Sequence, residues 1–175
     1  MSTLKISVNS EDHIQGDAHA ACTLVEYGDY ECPHCGNAYP IVQRVQRHFG
    51  ERLCFAFRNF PLTQIHPNAQ PAAETAEFAA SQGKFWEMHD LLFENQGRLG
   101  DELFQELASK LHLDVAALQD ALLIGACVTR VRTDFTGGVR SGVNGTPTFF
   151  INGQRHNGPA DFEYLVKAID AALAS

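Results

Sequence analysis

Residues 23–35 of this chain of 175 residues are Thr23-Leu24-Val25-Glu26-Tyr27-Gly28-Asp29-Tyr30-Glu31-Cys32-Pro33-His34-Cys35. The first five are mostly apolar and predict a short strand, and the pattern from Ala38 to Phe49 predicts a helix. The cysteine pair therefore stands between a strand and a helix, with the first sulfur at the helix N-terminus. Unpaired backbone N–H groups and the positive end of the helix dipole favour an anion there, which lowers the pKa of a thiol.

Two cysteines separated by two residues can close a small disulfide or bind a metal ion. Structural zinc takes four ligands, most often from two such pairs or from one pair and two histidines. The chain has one such pair, and its eight histidines lack the spacing that a zinc finger needs. The sequence therefore favours a redox pair over a metal site. Cys22, Cys54 and Cys127 stand alone and are interpreted as small apolar core residues.

Composition limits the possible partners and locations of the chain. A hydrophobic fraction of 45% and a charged fraction of 19% are typical of a globular protein of one domain, or one domain with an insertion. The net charge is −8 and basic residues form no run, which argues against binding to nucleic acid or to an anionic membrane. No apolar run approaches the ~20 residues of a membrane span. The first residues lack the apolar region of a signal peptide, so we expect a cytoplasmic location.

Apolar periodicity predicts the order strand, strand, helix, strand, helical block, hairpin and helix. The block from Ala69 to Val139 has no strand signal. Asn152-Gly153 predicts the turn of the hairpin. Strands are predicted at residues 5–8, 23–27, 53–57, 148–151 and 154–156, and the helices of the block at residues 69–82, 85–94, 101–112, 114–123 and 128–139.

Taken in this order, the motifs resemble the DsbA-like branch of the thioredoxin superfamily over nearly the whole chain. The resemblance rests on Cys32-Pro33-His34-Cys35, on Phe60-Pro61-Leu62, on the helical block and on Gly145-Thr146-Pro147-Thr148-Phe149. It implies an α/β protein with a thioredoxin fold and an inserted all-helical domain. Residues 1–65 and 139–175 would form the thioredoxin-fold domain, and residues 66–138 the inserted domain.

The resemblance also implies a role for each residue of the tetrad. Cys32 would be the attacking thiol, being nearer the helix start and more exposed than Cys35. Cys35 would resolve the mixed disulfide with the substrate. His34 lies within reach of the Cys32 sulfur and would stabilise its negative charge. Pro33 would shape the turn.

Three further residues are implied to belong to the site. The resemblance makes the Thr146–Pro147 bond cis, which would turn the Thr146 backbone toward the sulfurs so that an extended substrate could pair with it. Glu26 lies in an apolar strand, where a carboxylate is costly unless it has a partner or a task. In the family that the chain resembles, an acid at this position lies beneath the active site and handles protons at the second cysteine.

These roles imply a thiol–disulfide oxidoreductase that acts on protein thiols and disulfides or on glutathione. It would need neither cofactor nor metal, because the cysteine pair carries the electrons. Two alternatives remain: a glutathione-dependent isomerase or transferase of related fold, and a non-enzymatic metal-binding or chaperone module. A low Cys32 pKa makes the pair oxidising, whereas cytosolic glutathione lies at about −220 to −320 mV. The direction of electron flow therefore stays open. The oligomeric state stays open as well.

Overall fold

The computed structural model describes residues 2–175, which form one mixed β-sheet with α-helices packed around it. The strands are β1 (His13–Gln15), β2 (Cys22–Gly28), β3 (Leu53–Asn59), β4 (Thr148–Ile151) and β5 (Gln154–Arg155). The helices are α1 (Pro33–Phe49), α2 (Ala69–Ala80), α3 (Phe85–Glu94), α4 (Asp101–Lys110), α5 (Val115–Ile124), α6 (Val128–Arg140) and α7 (Phe162–Leu173). The α/β class predicted from the sequence is confirmed.

The five strands lie in the order β1-β3-β2-β4-β5. Strands β2 and β3 run parallel and are connected through α1, as parallel neighbours require a crossover. The other neighbours are antiparallel. Helices α2 to α6 all fall between β3 and β4 in the chain. The C-terminal end of the central strand β2 therefore leads directly into the cysteine tetrad at the start of α1.

Strand β2 is buried on both faces, which explains its nearly continuous apolar sequence. Leu24 faces the larger core, which also contains side chains of α1, α3 and α7. Val25 and Tyr27 face a smaller core on the other side of the sheet, where they meet Phe60 and Phe150. Glu26 alternates with Val25 and Tyr27, so its carboxylate points into the side of the sheet that carries the cysteine pair.

Most of the predicted elements are confirmed within one or two residues. Helix α3 and strand β4 have the predicted bounds, and α7 follows the hairpin as the predicted last helix. Asp114, the first residue of the helix predicted at residues 114–123, caps α5 by accepting a hydrogen bond from the Ala117 N–H at 3.0 Å. Asn152 and Gly153 form the hairpin turn with φ values of 45° and 77°, the left-handed conformation that a two-residue hairpin loop requires.

The predicted first strand, residues 5–8, is wrong. This segment is irregular, and the first strand is instead His13–Gln15, where no strand was predicted. The reason is the buried Arg58 guanidinium, which donates to the Ile6 carbonyl at 2.9 Å and to the Ser7 carbonyl at 3.3 Å. An arginine thus occupies carbonyl groups that a strand would use in its ladder.

The division of the chain at residues 65 and 138 stays a prediction. Helices α2 to α6 do form a continuous helical run between β3 and β4. Their apolar residues, however, share one core with α1 and the sheet, including Ala76, Phe93 and Leu103. The helical run therefore packs directly behind the cysteine tetrad, which allows its side chains to reach that site.

Candidate active site

Cys32 is the N-cap residue of α1, as the sequence predicts. Its backbone is extended, with φ −69° and ψ 121°, and Pro33 follows at the first helical position, where the missing N–H costs no helical bond. Its N–H donates to the Asp29 carbonyl at 3.1 Å, and its own carbonyl accepts from the Gly36 N–H at 3.0 Å. Cys32 is itself buried, with 3% of its surface exposed against 0% for Cys35, so it is only marginally the more exposed of the two.

The groups around the Cys32 sulfur stabilise its thiolate form. A hydrogen bond from the Cys35 thiol is the main cause that lowers the pKa of Cys32 from its ordinary 9.0 to about 5. The backbone N–H groups of Cys35 and His34 act in the same direction, and burial opposes them. This is the effect expected at a helix N-terminus. The His34 imidazole is exposed, and among the described residues it makes no hydrogen bond to this sulfur.

The pKa of Cys35 is shifted in the opposite direction from that of Cys32. Burial raises the pKa of the Cys35 thiol well above its ordinary value, and the hydrogen bond with Cys32 and the charge of Glu26 raise it further. Its sulfur accepts a hydrogen bond from the Asp29 N–H at 3.4 Å. At neutral pH the pair therefore combines one thiolate, at Cys32, with one protonated thiol, at Cys35.

Glu26 is a buried acid on the same side of the sheet. Burial, followed by the nearby charge of Cys32, raises the pKa of Glu26 from 4.5 to about 8. One of its carboxyl oxygens, Oε1, has no hydrogen-bond partner among the described residues. A cavity of about 50 Å³ borders Glu26 and is also lined by the half-buried side chains of Gln43 and Asp90. That volume exceeds the ~10–15 Å³ that a water molecule needs, so the carboxyl group has a polar space beside it.

The Thr146–Pro147 peptide bond is cis, as the resemblance implies. The Cys32 sulfur lies 3.4 Å from the Thr146 carbonyl oxygen, to which it donates a hydrogen bond when it is protonated. A groove of about 520 Å³ runs alongside, between the start of α1 and the hairpin. Its lining includes His34, Thr146, Pro147, Arg155 and His156. The structure thus brings the tetrad and the Thr146–Pro147 loop together around one sulfur.

Comparison with known proteins agrees with this arrangement. A family model described as thioredoxin matches residues 8–171. The chain belongs to the thioredoxin family.

Solved structures share this thioredoxin-like fold over the whole chain. BdbD from Bacillus subtilis, in its oxidised form, has a TM-score of 0.89 at 23% identity and covers 99% of both chains. A thioredoxin-like oxidoreductase from Silicibacter pomeroyi has a TM-score of 0.84 at 24% identity, with 95% of each chain covered. The alpha-DsbA1 protein of Wolbachia pipientis has a TM-score of 0.83 at 19% identity, covering 98% of this chain and 94% of its own. The predicted thioredoxin fold with inserted helices, of the DsbA-like type, is confirmed.

Curated relatives with higher identity are longer proteins. The Na(+)/H(+) antiporter NhaA 1 of Salinispora arenicola is 44% identical over 163 residues, which are 93% of this chain and 25% of that protein. The chain thus spans about a quarter of the length of the curated relatives that it matches. Between residues 2 and 175, no helix combines the length and the apolar character needed to cross a membrane.

Sequence reasoning missed Asp29, whose side chain is fully buried three residues before Cys32. Its carboxylate accepts from the backbone N–H groups of Glu31 at 2.8 Å and Leu62 at 2.9 Å, and from His66 Nδ1 at 2.7 Å. The Asp29 carbonyl also accepts from the Cys32 N–H, and the Asp29 N–H donates to the Cys35 sulfur. Asp29 therefore joins the cysteine loop of this thioredoxin fold to the segment after β3, a link over more than thirty residues that no local pattern reveals.

Tyr30 and Gln96 were missed as well. Tyr30 is buried, and its hydroxyl shares a 3.0 Å hydrogen bond with Nδ1 of His89 on α3. Burial lowers the pKa of His89 to about 3, so this imidazole is neutral. Gln96 lies in the short 3₁₀ turn after α3 and donates to the backbone of the cysteine loop. Gly36, which the structure places inside α1, is the one accompanying sequence feature, because a glycine within a helix can have a packing reason.

The remaining cysteines are separate from the candidate site. Cys22 and Cys54 are buried in the core, as expected, whereas Cys127 is half-buried. Burial raises the pKa of all three thiols, that of Cys22 to about 11. Within the described residues, no group of three or more His, Cys, Asp or Glu side chains is arranged to hold a metal ion. Cys32 is thus distinguished from the other thiols by its lowered pKa.

Proposed function

We propose that this chain is a thiol–disulfide oxidoreductase that exchanges disulfides with protein thiols through the Cys32–Cys35 pair. The main observation in support is the position of the Cys32 sulfur, at the N-cap of α1 and 3.4 Å from the Thr146 carbonyl oxygen. A thiolate is the nucleophile in disulfide exchange, and this sulfur is the one whose pKa is lowered. The neighbouring Cys35 supplies the second thiol that a two-electron exchange requires.

In the reducing direction, the Cys32 thiolate attacks one sulfur of a substrate disulfide. A mixed disulfide forms and the other substrate sulfur leaves as a thiolate, which takes a proton from solvent. The Cys35 thiol then loses its proton and attacks the Cys32 sulfur, which closes the Cys32–Cys35 disulfide and releases the second substrate thiol. Two electrons pass to the substrate, and the reverse sequence oxidises a substrate dithiol. The pair itself carries the electrons, so the scheme uses no cofactor.

Glu26 is proposed as the group that exchanges the proton of Cys35. The high pKa of the Cys35 thiol makes its deprotonation the difficult step. With a pKa of about 8, Glu26 can accept or return a proton near neutral pH, whereas an ordinary carboxylate could not. The Glu26 charge contributes to the raised pKa of Cys35, so the protonation of Glu26 affects that of Cys35.

The groove beside Cys32 is the proposed docking place for the substrate segment. It is lined by the Thr146–Pro147 loop and by polar groups that include Asn37, Arg155 and His156. An extended peptide lying there could pair with the Thr146 backbone while its sulfur meets Cys32. Protein thiols and disulfides are the proposed substrates, with glutathione as the small-molecule alternative. The cytoplasmic location stays a prediction, and the direction of electron flow stays open.

The proposal is tested with single-cysteine variants of the whole chain. Cys32→Ser should abolish reduction of insulin by dithiothreitol-driven turnover, because the nucleophile is lost. Cys35→Ser should accumulate mixed disulfides with a thiol substrate, which mass spectrometry would locate on Cys32, because the resolving thiol is lost. Cys127→Ser serves as the matched control and should keep full activity. Substantial activity in Cys32→Ser would refute the assignment.

Zinc content and glutathione dependence distinguish the proposed function from the two alternatives, a metal-binding module and a glutathione-dependent enzyme. One tightly bound zinc per chain, lost in Cys32→Ser, would favour the metal-binding module. Activity that depends strictly on glutathione and fails with peptide dithiols would favour the glutathione-dependent enzyme. If the proposed function is right, we expect neither bound zinc nor strict dependence on glutathione.

A further inference from the structure

Gln96 connects the inserted helices to the cysteine tetrad. It is half-buried in the short turn Gln96–Arg98, directly after α3. Its side-chain nitrogen Nε2 donates two hydrogen bonds, each 2.8 Å long, to the backbone carbonyl oxygens of Tyr30 and Cys32. One amide from the helical run therefore holds two carbonyl groups of the loop that carries the attacking thiol.

Gly36 provides the space for this contact. It lies in the first turns of α1, where glycine is less favourable than alanine, and its backbone does not adopt the left-handed conformation that would require glycine. A Cβ atom at this position would lie 2.2 Å from the Gln96 side-chain oxygen Oε1 and 2.9 Å from its Cδ. Because Gln96 is flexible, an added methyl group would displace its amide rather than break the helix.

We infer that Gln96 is a positioning residue for Cys32. We also infer that position 36 is a glycine because any larger residue would displace the Gln96 amide. The Cys32 carbonyl accepts from the Gly36 N–H as well as from Gln96, so the two bonds fix the N-cap between them. With the N-cap fixed, the N–H groups of His34 and Cys35 stay directed at the Cys32 sulfur. The inserted helices thus act on the thiolate through the backbone, without touching the sulfur.

This inference rests on the proposed function for its meaning in exchange, but its test does not require turnover. Without the Gln96 amide, the N-cap gains freedom and the thiolate loses part of its stabilisation. We expect Gln96→Ala to raise the Cys32 pKa by about half a unit to one unit, and to shift the equilibrium with glutathione about three- to tenfold toward the disulfide, since both report the same free energy. Iodoacetamide alkylation against pH and equilibration with glutathione measure the two quantities.

Combining this variant with Gly36→Ala makes the test sharper. Alone, Gly36→Ala should raise the Cys32 pKa in the same direction as Gln96→Ala, because it displaces the amide. In the Gln96→Ala background it should have no further effect on that pKa. There it should also raise the melting temperature by about 1–4 °C, since alanine is the better helix residue once the contact is gone.

Asn95→Ala is the matched control, because Asn95 also donates an amide bond, of 2.9 Å, to a backbone carbonyl, that of Leu91 in α3. It should lower stability and leave the Cys32 pKa unchanged. The inference is overturned if Gln96→Ala leaves both pKa and glutathione equilibrium at their wild-type values, or if Gly36→Ala acts equally with and without Gln96. Failure of the proposed function would appear differently, as a wild-type pair that does not exchange with glutathione at all.

Discussion

The Cys32 sulfur lies 3.4 Å from the carbonyl oxygen of Thr146, a contact between two residues 114 positions apart in the chain. This contact places the nucleophile of the cysteine loop against the segment that leads into β4. It also leaves the Cys35 thiol on the inner side, where it donates to the Cys32 sulfur and becomes the main cause of the low Cys32 pKa. Substitutions of the neighbouring groups can therefore rank them by how much each one lowers the Cys32 pKa.

Removing the Cys35 thiol should raise the Cys32 pKa more than removing the His34 imidazole. Cys35→Ala deletes the strongest donor to the sulfur and should move the pKa from about 5 toward the ordinary 9.0, whereas Cys35→Ser retains a donor and should fall between. His34→Ser keeps the backbone N–H of residue 34, so its effect should be in the same direction but smaller. Thiolate absorbance against pH gives all four values. A larger rise in His34→Ser than in Cys35→Ala would contradict this ranking.

Glu26→Gln should flatten the pH dependence of stability in the oxidised protein. In this form the charge of Cys32 is absent, but burial, the larger cause, still raises the pKa of Glu26 above its ordinary 4.5, so the folded state binds more protons than the unfolded state from about pH 4.5 up to the raised pKa. The free energy of unfolding therefore falls as pH rises through this window, by up to ~1.4 kcal/mol per pH unit for a full proton. The disulfide form isolates this effect, because a Cys32 thiolate in the reduced protein would contribute the opposite slope.

Urea unfolding at a series of pH values measures that slope in the wild type and the variant. Glu163→Gln, an exposed substitution on α7, is the matched control and should keep the wild-type slope. An unchanged slope in Glu26→Gln would show that Glu26 ionises normally in the folded protein. The proposed proton exchange with Cys35 would then lose its physical basis.

The sequence predicted those features of the site that depend on local patterns. The N-cap position of Cys32 follows from a strand, a tetrad and a helix in succession, and the core role of Cys22 and Cys54 follows from their isolation. Glu26 could be singled out because a carboxylate in an apolar strand is unusual. The cis bond before Pro147 came from resemblance to a family, since most such bonds are trans.

The features that escaped prediction depend on contacts distant in the chain. Asp29 is an ordinary turn residue by pattern, and its importance appears only where the segment after β3 supplies Leu62 and His66. The false strand at residues 5–8 has the same cause, because Arg58 lies about fifty positions away in sequence. The near-complete burial of Cys32 also required knowing where Thr146 lies. Periodicity reports which face of an element is apolar, but not which polar group will meet it.

The buried pair of Asp12 and Arg58 should be important for stability and irrelevant to exchange. The Arg58 Nε donates to Asp12 at 2.7 Å, and both side chains are 4% exposed. Asp12→Ala leaves the guanidinium without its carboxylate, and breaking a buried pair in this way costs about 3–5 kcal/mol. Chemical unfolding should show this loss, whereas the Cys32 pKa of the folded variant should stay at the wild-type value.

Glu106→Ala is the control for that substitution, because it breaks the exposed pair with Arg98. Its unfolding midpoint should match the wild type, since exposed ion pairs contribute little to stability. An Asp12→Ala protein as stable as Glu106→Ala would mean that the Arg58 charge is compensated by its other partners, which are the Tyr27 hydroxyl and two backbone carbonyls.

The redox equilibrium of the cysteine pair with glutathione tests the proposed function most directly. The protein is equilibrated with mixtures of reduced and oxidised glutathione, quenched with acid, alkylated and mapped by mass spectrometry. We predict one reversible two-electron transition in which a single disulfide forms, between Cys32 and Cys35, while Cys22, Cys54 and Cys127 stay reduced. A pair that never closes this disulfide, or cysteines that react independently with glutathione, would contradict a thiol–disulfide oxidoreductase built on Cys32 and Cys35.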